Sequence, residues 1–351
     1  MQTMRALTVT PGVADSLQLE TFRVPTAERG AVLIRAALLG VCGTDREIIA
    51  AKYGSPPPGR ERLIIGHESL GRVVEAPANS GFIEGDLVAG IVRRPDPVPC
   101  VNCAVGEWDM CRNGKYTEHG IKSLDGFGAE YYRMDPGFVV KVDESLGELG
   151  VLTEPASVIA KAWEHIERIG ERAAWSPACV LVTGAGPVGL LAALFALQRK
   201  LEVHVLDHNT EGPKPRLVRD LGATYHAGKL GEVRRDFDVV IEGTGVSSLV
   251  SGVLSQISPN GIICLLGVSE AGAAETLDIG ALNASLVLGN RVVFGSVNAN
   301  RRHYKQAIAA LCTANRDWLG RIITRRVSLD RWSEAFEKHP HDVKTVIDFA
   351  S

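Results

Sequence analysis

The chain has 351 residues, 45% hydrophobic and 23% charged, an ordinary globular composition on a length that calls for about two domains. Its net charge of −3 gives no electrostatic reason to expect nucleic acid or an anionic membrane as partner. The opening MQTMRALTVT lacks the apolar core of a signal peptide, and the apolar runs are too short and glycine-broken to span a bilayer, so a cytoplasmic protein is expected.

In chain order, Arg5 to Thr10 and Ala31 to Leu39 read as strands, and the second leads into Gly40-Val-Cys42-Gly-Thr44-Asp45. Tyr53 to Arg60, rich in Pro and Gly, predicts an exposed loop. Gly66-His67-Glu68 precedes a strand Ser69 to Glu75, and Gly85-Asp86 turns the chain into another that ends at Arg93. Short strands between turn signals predict a distorted β-barrel rather than a parallel sheet. Helical, Ala-rich character starts near Glu154 and runs to Arg172, so the domain change is expected at Ala174 to Ala178.

Val180 to Asp207 then carries a strand, a Gly184-Ala-Gly186-Pro187-Val188-Gly189 turn, an apolar helix and a second strand ending in an acid. Gly184 permits a tight turn, Gly186 lets backbone approach a pyrophosphate, and Gly189 lets the helix pack on the strand. The helix N-terminus offers free N–H groups to phosphates, and Asp207, roughly 20 positions on, can accept from both ribose hydroxyls. The pattern continues through a helix Arg216 to Gly222 and strands at Phe237 to Ile241, Gly261 to Gly267 and Arg291 to Val297. His208 and Thr244 follow two of these strands and join the candidate dinucleotide contacts. A helix Arg302 to Ala314 and a strand Thr345 to Phe349 return to the first domain. The expected division is therefore 1–175 with 299–351, and a Rossmann doubly wound parallel-sheet domain over 176–298.

Cysteine, histidine and glutamate mark two further clusters. Seven cysteines in a chain of this kind point to metal binding or burial rather than disulfides. Cys42, His67, Glu68 and Glu154 offer a thiolate, an imidazole and carboxylates, a donor set that suits zinc. Spacing alone leaves open a buried Cys42, a hydrogen-bonded His67 and solvated glutamates. Cys100, Cys103 and Cys111 lie too close together in a loop to be core packing. Cys179, Cys264 and Cys312 read as buried thiols, and Arg301-Arg302-His303 as a solvated helix start.

Cys42-Gly-Thr-Asp45, Gly66-His67-Glu68, the cysteine-rich lobe and the later GAGPVG resemble the zinc-dependent medium-chain dehydrogenases over nearly the whole chain. Cys42-Gly-Thr-Asp-Arg-Glu47, Thr153-Glu154-Pro155 and Gly295-Ser-Val-Asn298 are similar to their glucose dehydrogenase branch, known from archaea. The resemblance implies a GroES-like catalytic domain, a catalytic zinc at Cys42, His67, Glu68 and Glu154, and a proton taken from the substrate hydroxyl by Thr44. Glu47 stands where a relay histidine is often found. It also implies a structural zinc on Cys100, Cys103 and Cys111. Pro97 occupies the expected fourth position, so Asp96 is the expected fourth ligand and Asp109 the alternative.

Glu118 and Asn298 resemble sugar contacts, Glu154 adds another, and Val92 replaces an asparagine that reaches the sugar in some relatives. The expected reaction is hydride transfer from the anomeric carbon of an aldose, glucose first, to the cofactor, giving a lactone. Dehydrogenation of another polyol, a cyclitol or a secondary alcohol is the enzymatic alternative, and a dinucleotide-binding sensor the non-enzymatic one. Asp207-His208-Asn209 replaces the Asn-Arg-Arg type of segment that accepts a 2′-phosphate, so NAD is expected over NADP, with Lys214 and Arg216 softening the preference. Arg291 to Val297 resembles a subunit-joining edge, implying a homo-dimer or homo-tetramer.

Overall fold

Val32–Val41, a nearly unbroken apolar run, forms the central strand of the first unit and is buried over most of its length. The computed structural model describes residues 2–26, 30–233, 236–270, 272 and 275–350. Antiparallel partners flank that strand: Glu68–Glu75 on one side, Lys344–Asp348 and Tyr131–Met134 on the other edge positions. Leu87–Gly90 and Val139–Lys141 extend the sheet beyond Glu68–Glu75, and Ile323–Ser328 extends it beyond Lys344–Asp348. Register shifts at Leu33/Ile34 and Ala36/Leu38 bend the ladder, as bulges do, and let it curl. Two smaller sheets, Gln18–Arg23 with Thr3–Val9 and Leu63–Ile64, and Arg93–Arg94 with Thr117–His119 and Ser123–Leu124, complete the barrel-like unit. Leu7, Ile34, Leu39, Ile65, Phe127 and Ile347 sit in its core. The strand Gln18–Arg23 has no sequence expectation behind it, because QLETFR carries little apolar alternation and lies at a half-exposed edge.

The second unit is a parallel sheet of six strands. Their order is Thr224–Ala227, Glu202–Asp207, Cys179–Thr183, Phe237–Glu242, Ile257–Leu265 and Val292–Gly295, all joined in parallel. This is the dinucleotide-binding strand order, with the change of direction at Cys179–Thr183. The helix Pro187–Gln198 is apolar all round and buried from Gly189 to Ala196, which is why its sequence lacks a polar face. The chain is thus α/β, a distorted barrel with a doubly wound domain.

By contacts the units are Met1–Ser157 with Asn298–Ser351, and Val158–Val297. The first division falls inside the helix Thr153–Gly170, upstream of the expected 175/176. A helix gives no compositional mark where it is cut, whereas Ala174 to Ala178 is where the helical pattern stops. Among the described residues no helix is long and apolar enough to cross a membrane.

Candidate functional site

Three segments of the first unit deliver the first cluster. Cys42 caps the short helix Gly43–Ile49, His67 follows the strand Leu63–Ile64, and Glu68 opens the strand Glu68–Glu75. One ligand atom from each of Cys42, His67 and Glu68 lies within 4.8 Å of the others. His67 and Glu68 are buried, and Cys42 is partly open. Gly40 makes room for this, since a Cβ there would stand 2.1 Å from a Glu68 carboxylate oxygen. A thiol, an imidazole and a carboxylate gathered in a dry site fit zinc.

Two residues without a sequence expectation organise the cluster. Asp45 is buried; it accepts the Cys42 N–H at 2.8 Å and sets Oδ1 3.3 Å from His67 Nδ1. A carboxylate behind a ligating histidine fixes its ring and tautomer. Burial opposes charge on His67, but Asp45 and then Cys42 more than offset it, and the imidazole is held well above its ordinary range. The acid three positions after Cys42 was readable as a helix-start signal. Lys344 was not readable: buried, it pairs with Glu68 from the last strand and donates to the Val41 carbonyl at 3.1 Å.

Glu154 begins the helix Thr153–Gly170 and is buried, but it lies outside the set of mutually close ligand atoms. Burial pushes its carboxyl up to about 7, with His67 pulling down and Glu68 pushing up. Thr44 is half-buried and Glu47 exposed on the Gly43–Ile49 helix.

Glu118 and Asn298 meet. Asn298 donates to Glu118 Oε1 at 2.9 Å, and Arg93 reaches the same oxygen through Nε at 3.0 Å and Nη2 at 2.9 Å. Glu118 is buried, so it is no solvated loop acid. Arg93, which also lies 3.7 Å from the Tyr116 ring centre, is the partner that the sequence did not announce. Val92 is locked in the apolar core, its N–H near the Tyr304 hydroxyl at 3.4 Å.

In the lobe, the Cys100, Cys103 and Cys111 sulfurs lie within 4.8 Å of one another. Backbone N–H groups of Arg112 and Cys103 draw the Cys100 thiol down to about 6, while burial pushes Cys103 up to about 11. The Asp96 carboxylate stays out of this group: its oxygens accept from Val98 N–H at 2.9 Å and Asn113 Nδ2 at 2.7 Å. Its contribution is instead a backbone N–H toward Cys103. Asp109 is buried and accepts from Asn300 at 3.0 Å.

In the second unit, Gly184 adopts φ +90°, and a Cβ on Gly189 would stand 1.8 Å from the Gly184 carbonyl oxygen. Gly186 caps the helix Pro187–Gln198 in extended conformation and faces open space, while Val188 is half-buried at its first turn. Asp207 is buried; one oxygen accepts from Ala185 N–H at 2.7 Å, the other from Asn209 N–H at 3.0 Å. Burial opposes its charge, but those N–H groups, Lys214 at 3.4 Å and His208 keep its pKa below the ordinary value. His208 is otherwise exposed. Thr244 is held by Glu242, a fully buried carboxylate that also accepts from Thr183 at 3.1 Å and that the sequence reading passed over.

Two expectations outside the sites change. Cys312 is exposed, because it ends the helix Arg301–Cys312 away from the buried His303, Tyr304, Ala307 and Leu311. His303 is buried, and Arg302 pairs with Glu107 at 2.6 Å, so that helix start is packed rather than solvated.

Residues 28–144 match the alcohol dehydrogenase GroES-like domain and residues 147–349 the glucose dehydrogenase C-terminus. The chain is 40% identical to glucose 1-dehydrogenase 2 of Vulcanisaeta moutnovskia, over 98% of this chain and 99% of that one. It is 41% identical to glucose 1-dehydrogenase of Thermoproteus tenax, with the same coverage. Among solved structures, Haloferax mediterranei glucose dehydrogenase in complex with NADP, Zn and gluconolactone superposes with a TM-score of 0.92 at 30% identity, covering 99% of both chains.

Proposed function

We propose that this chain, which belongs to the glucose dehydrogenase family of zinc-dependent dehydrogenases, oxidises an aldose at its anomeric carbon with NAD(P) and releases the lactone. Glucose is the first substrate to try. The observation that carries this reading is a buried thiol–imidazole–carboxylate cluster in the same unit as a buried carboxylate, Glu118, shared by Arg93 and Asn298. A sensor has no need of the first, and a simple alcohol has little use for the second.

Cys42, His67 and Glu68 would hold the catalytic zinc, which as a Lewis acid lowers the pKa of the substrate hydroxyl. Thr44 Oγ1 would relay the hydroxyl proton, accepting it while giving up its own proton toward solvent, and the nicotinamide when bound would supply the hydride acceptor for the C1 hydrogen. Glu154, electrostatically coupled to His67 and Glu68, would act on a sugar hydroxyl or serve as a further metal ligand. Glu118 and Asn298 hold further hydroxyls, since each one left unpaired in a buried site costs on the order of 1–3 kcal/mol. Cys100, Cys103 and Cys111 would hold a second, structural zinc; Asp96 becomes its fourth ligand only by releasing Val98 and Asn113.

Gly184, Gly186, Pro187, Val188 and Gly189 would hold the pyrophosphate, and Thr244 and His208 would add contacts to the dinucleotide. An anionic Asp207 favours the ribose hydroxyls of NAD over a 2′-phosphate, and Lys214, already paired with it, tempers that preference. Exposed Ile279, Val287 and Leu288 on the helix next to the edge strand Val292–Gly295 support a homo-dimer or homo-tetramer. Free thiols at all seven cysteines suit a cytoplasmic location.

The test is cofactor reduction with glucose, its epimers, cyclitols and simple alcohols. Asn298→Ala should lower kcat/KM for the sugar about 10-fold, the loss of one or two buried hydrogen bonds, while leaving NAD affinity unchanged. Activity confined to cyclitols or alcohols would move the substrate class; a clear NADP preference would overturn the role given to Asp207.

A further inference from the structure

The strands Cys179–Thr183 and Phe237–Glu242 run side by side in parallel and end level, with Thr183 opposite Glu242. Each passes at its C-terminal end into a glycine turn, Gly184 to Gly189 from the first and Gly243 to Gly245 from the second. In an open parallel sheet the ligand crevice lies outside those ends, where the strand order reverses. Glu242 closes its strand there and has no exposed surface.

Among the described residues, every hydrogen-bond partner of this carboxylate is neutral. Oε1 accepts from the Thr183 hydroxyl at 3.1 Å, from the Thr244 hydroxyl and from the Thr244 N–H at 2.8 Å, and Oε2 accepts from the Gly245 N–H at 3.1 Å. A buried charge is costly unless several donors converge on it, and here four do. They come from both turns: Thr183 directly precedes Gly184, while Thr244 and Gly245 form the second turn, with Gly245 at φ +67°. The second turn is packed on the first, since a Cβ on Gly184 would stand 3.0 Å from Thr244 Cγ2. The Glu242 carbonyl adds a third segment, accepting from Leu266 N–H at 2.8 Å and Gly267 N–H at 3.1 Å. The Thr244 hydroxyl gives its one proton to Glu242 and accepts from Val246 N–H at 3.0 Å. It has no proton left for a phosphate or ribose oxygen, so its contact with a dinucleotide runs through the main chain.

We propose that Glu242 is a positioning residue for the dinucleotide, a role that rests on the dinucleotide reading of the glycine turns. Its carboxylate holds the Gly243 to Gly245 turn against Gly184 and so fixes the backbone that the dinucleotide meets. With no surface of its own, Glu242 acts through Thr244 and Gly245 and touches no ligand. Glutamine at this position keeps the shape but offers one acceptor oxygen where two are used. Its amide group then faces an N–H or a hydroxyl that also donates, and the second turn loosens.

Fluorescence titration of NADH into the protein reads this without reference to turnover. Glu242→Gln should weaken NADH binding about 10-fold or more, and Thr183→Val, which removes one of the four donors, should weaken it by a smaller factor. In steady state the KM for NAD should rise with the Kd, while kcat at saturating NAD and the KM for the sugar stay within about 2-fold. A merely structural carboxylate would lower Tm and leave the NADH affinity of the folded variant unchanged, and that result overturns the proposal. Should Glu242→Gln fail to fold, Thr183→Val carries the same test, and unchanged NADH affinity there overturns it. Wild-type protein that binds no NADH would overturn the dinucleotide reading and this role together, an outcome distinct from wild-type binding that both substitutions leave intact.

Discussion

At the scale of single residues, groups outside the motif orient the chemistry. Asp45 touches both Cys42 and His67 but belongs to no ligand set. Asp45→Asn keeps the shape and removes the charge behind the imidazole, so zinc affinity or kcat/KM should fall about 10–100-fold in a folded protein. Zinc content and steady-state rates read the two effects separately. His119 makes a prediction about pH. Buried and neutral, with its pKa lowered to about 3, it must take up a proton on unfolding once the pH is below its ordinary value. The unfolded chain then binds more protons, so stability is intact above pH ~6.5 and falls by about 1.4 kcal/mol per unit as the pH drops toward 3. Denaturant titrations across that range should show a shallower acid loss in His119→Gln. Cys42, His67 and Glu68 were grouped through the family resemblance, since residue type and spacing left a buried thiol and a hydrogen-bonded histidine open. Lys344 and Arg93 were not legible, since a cation in a strand looks alike whether it meets solvent or a buried carboxylate.

At the scale of elements, the glycine-rich turn separates two requirements that its sequence presents as one. A Cβ on Gly189 would collide with the Gly184 carbonyl oxygen, so Gly189→Ala forces the helix off its strand. A Cβ on Gly186 meets nothing within 4 Å, and its backbone angles are open to any residue. Gly189→Ala should therefore destabilise the fold by about 1–3 kcal/mol or more, as overpacking does, while Gly186→Ala should leave Tm nearly unchanged and weaken NAD binding. Thermal melts and dinucleotide titrations of the two variants check this contrast; equal losses of stability would contradict it. The strands of this domain were readable from their apolar runs. Thr224–Ala227 was not, because TYHA is four residues long and half-exposed at the sheet edge.

At the scale of the whole molecule, the role proposed for the cysteine lobe is to support the fold rather than the reaction. Asn300 donates to Asp109 and Arg302 pairs with Glu107, which ties the lobe to the helix Arg301–Cys312. Metal binding by such a lobe is folding free energy. Elemental analysis should find two zinc ions per chain. Cys103→Ala should lose one and lower Tm, whereas Cys42→Ala should lose the other, abolish turnover and leave the melt little changed. Active protein without zinc would exclude both assignments. The sequence by itself determined the α/β class, the strand–glycine turn–helix–strand unit that ends in Asp207, and the grouping of Cys100, Cys103 and Cys111. Each of those is written in local terms: side-chain period, turn residues and ligand type. Only the tertiary structure decided that Glu118 is a buried anion clasped by Arg93 and Asn298, that Lys344 answers Glu68 across most of the chain, and that Asp96 turns its carboxylate away from the thiols. Those outcomes depend on which distant strands become neighbours, and burial then fixes whether a charge is paired or solvated.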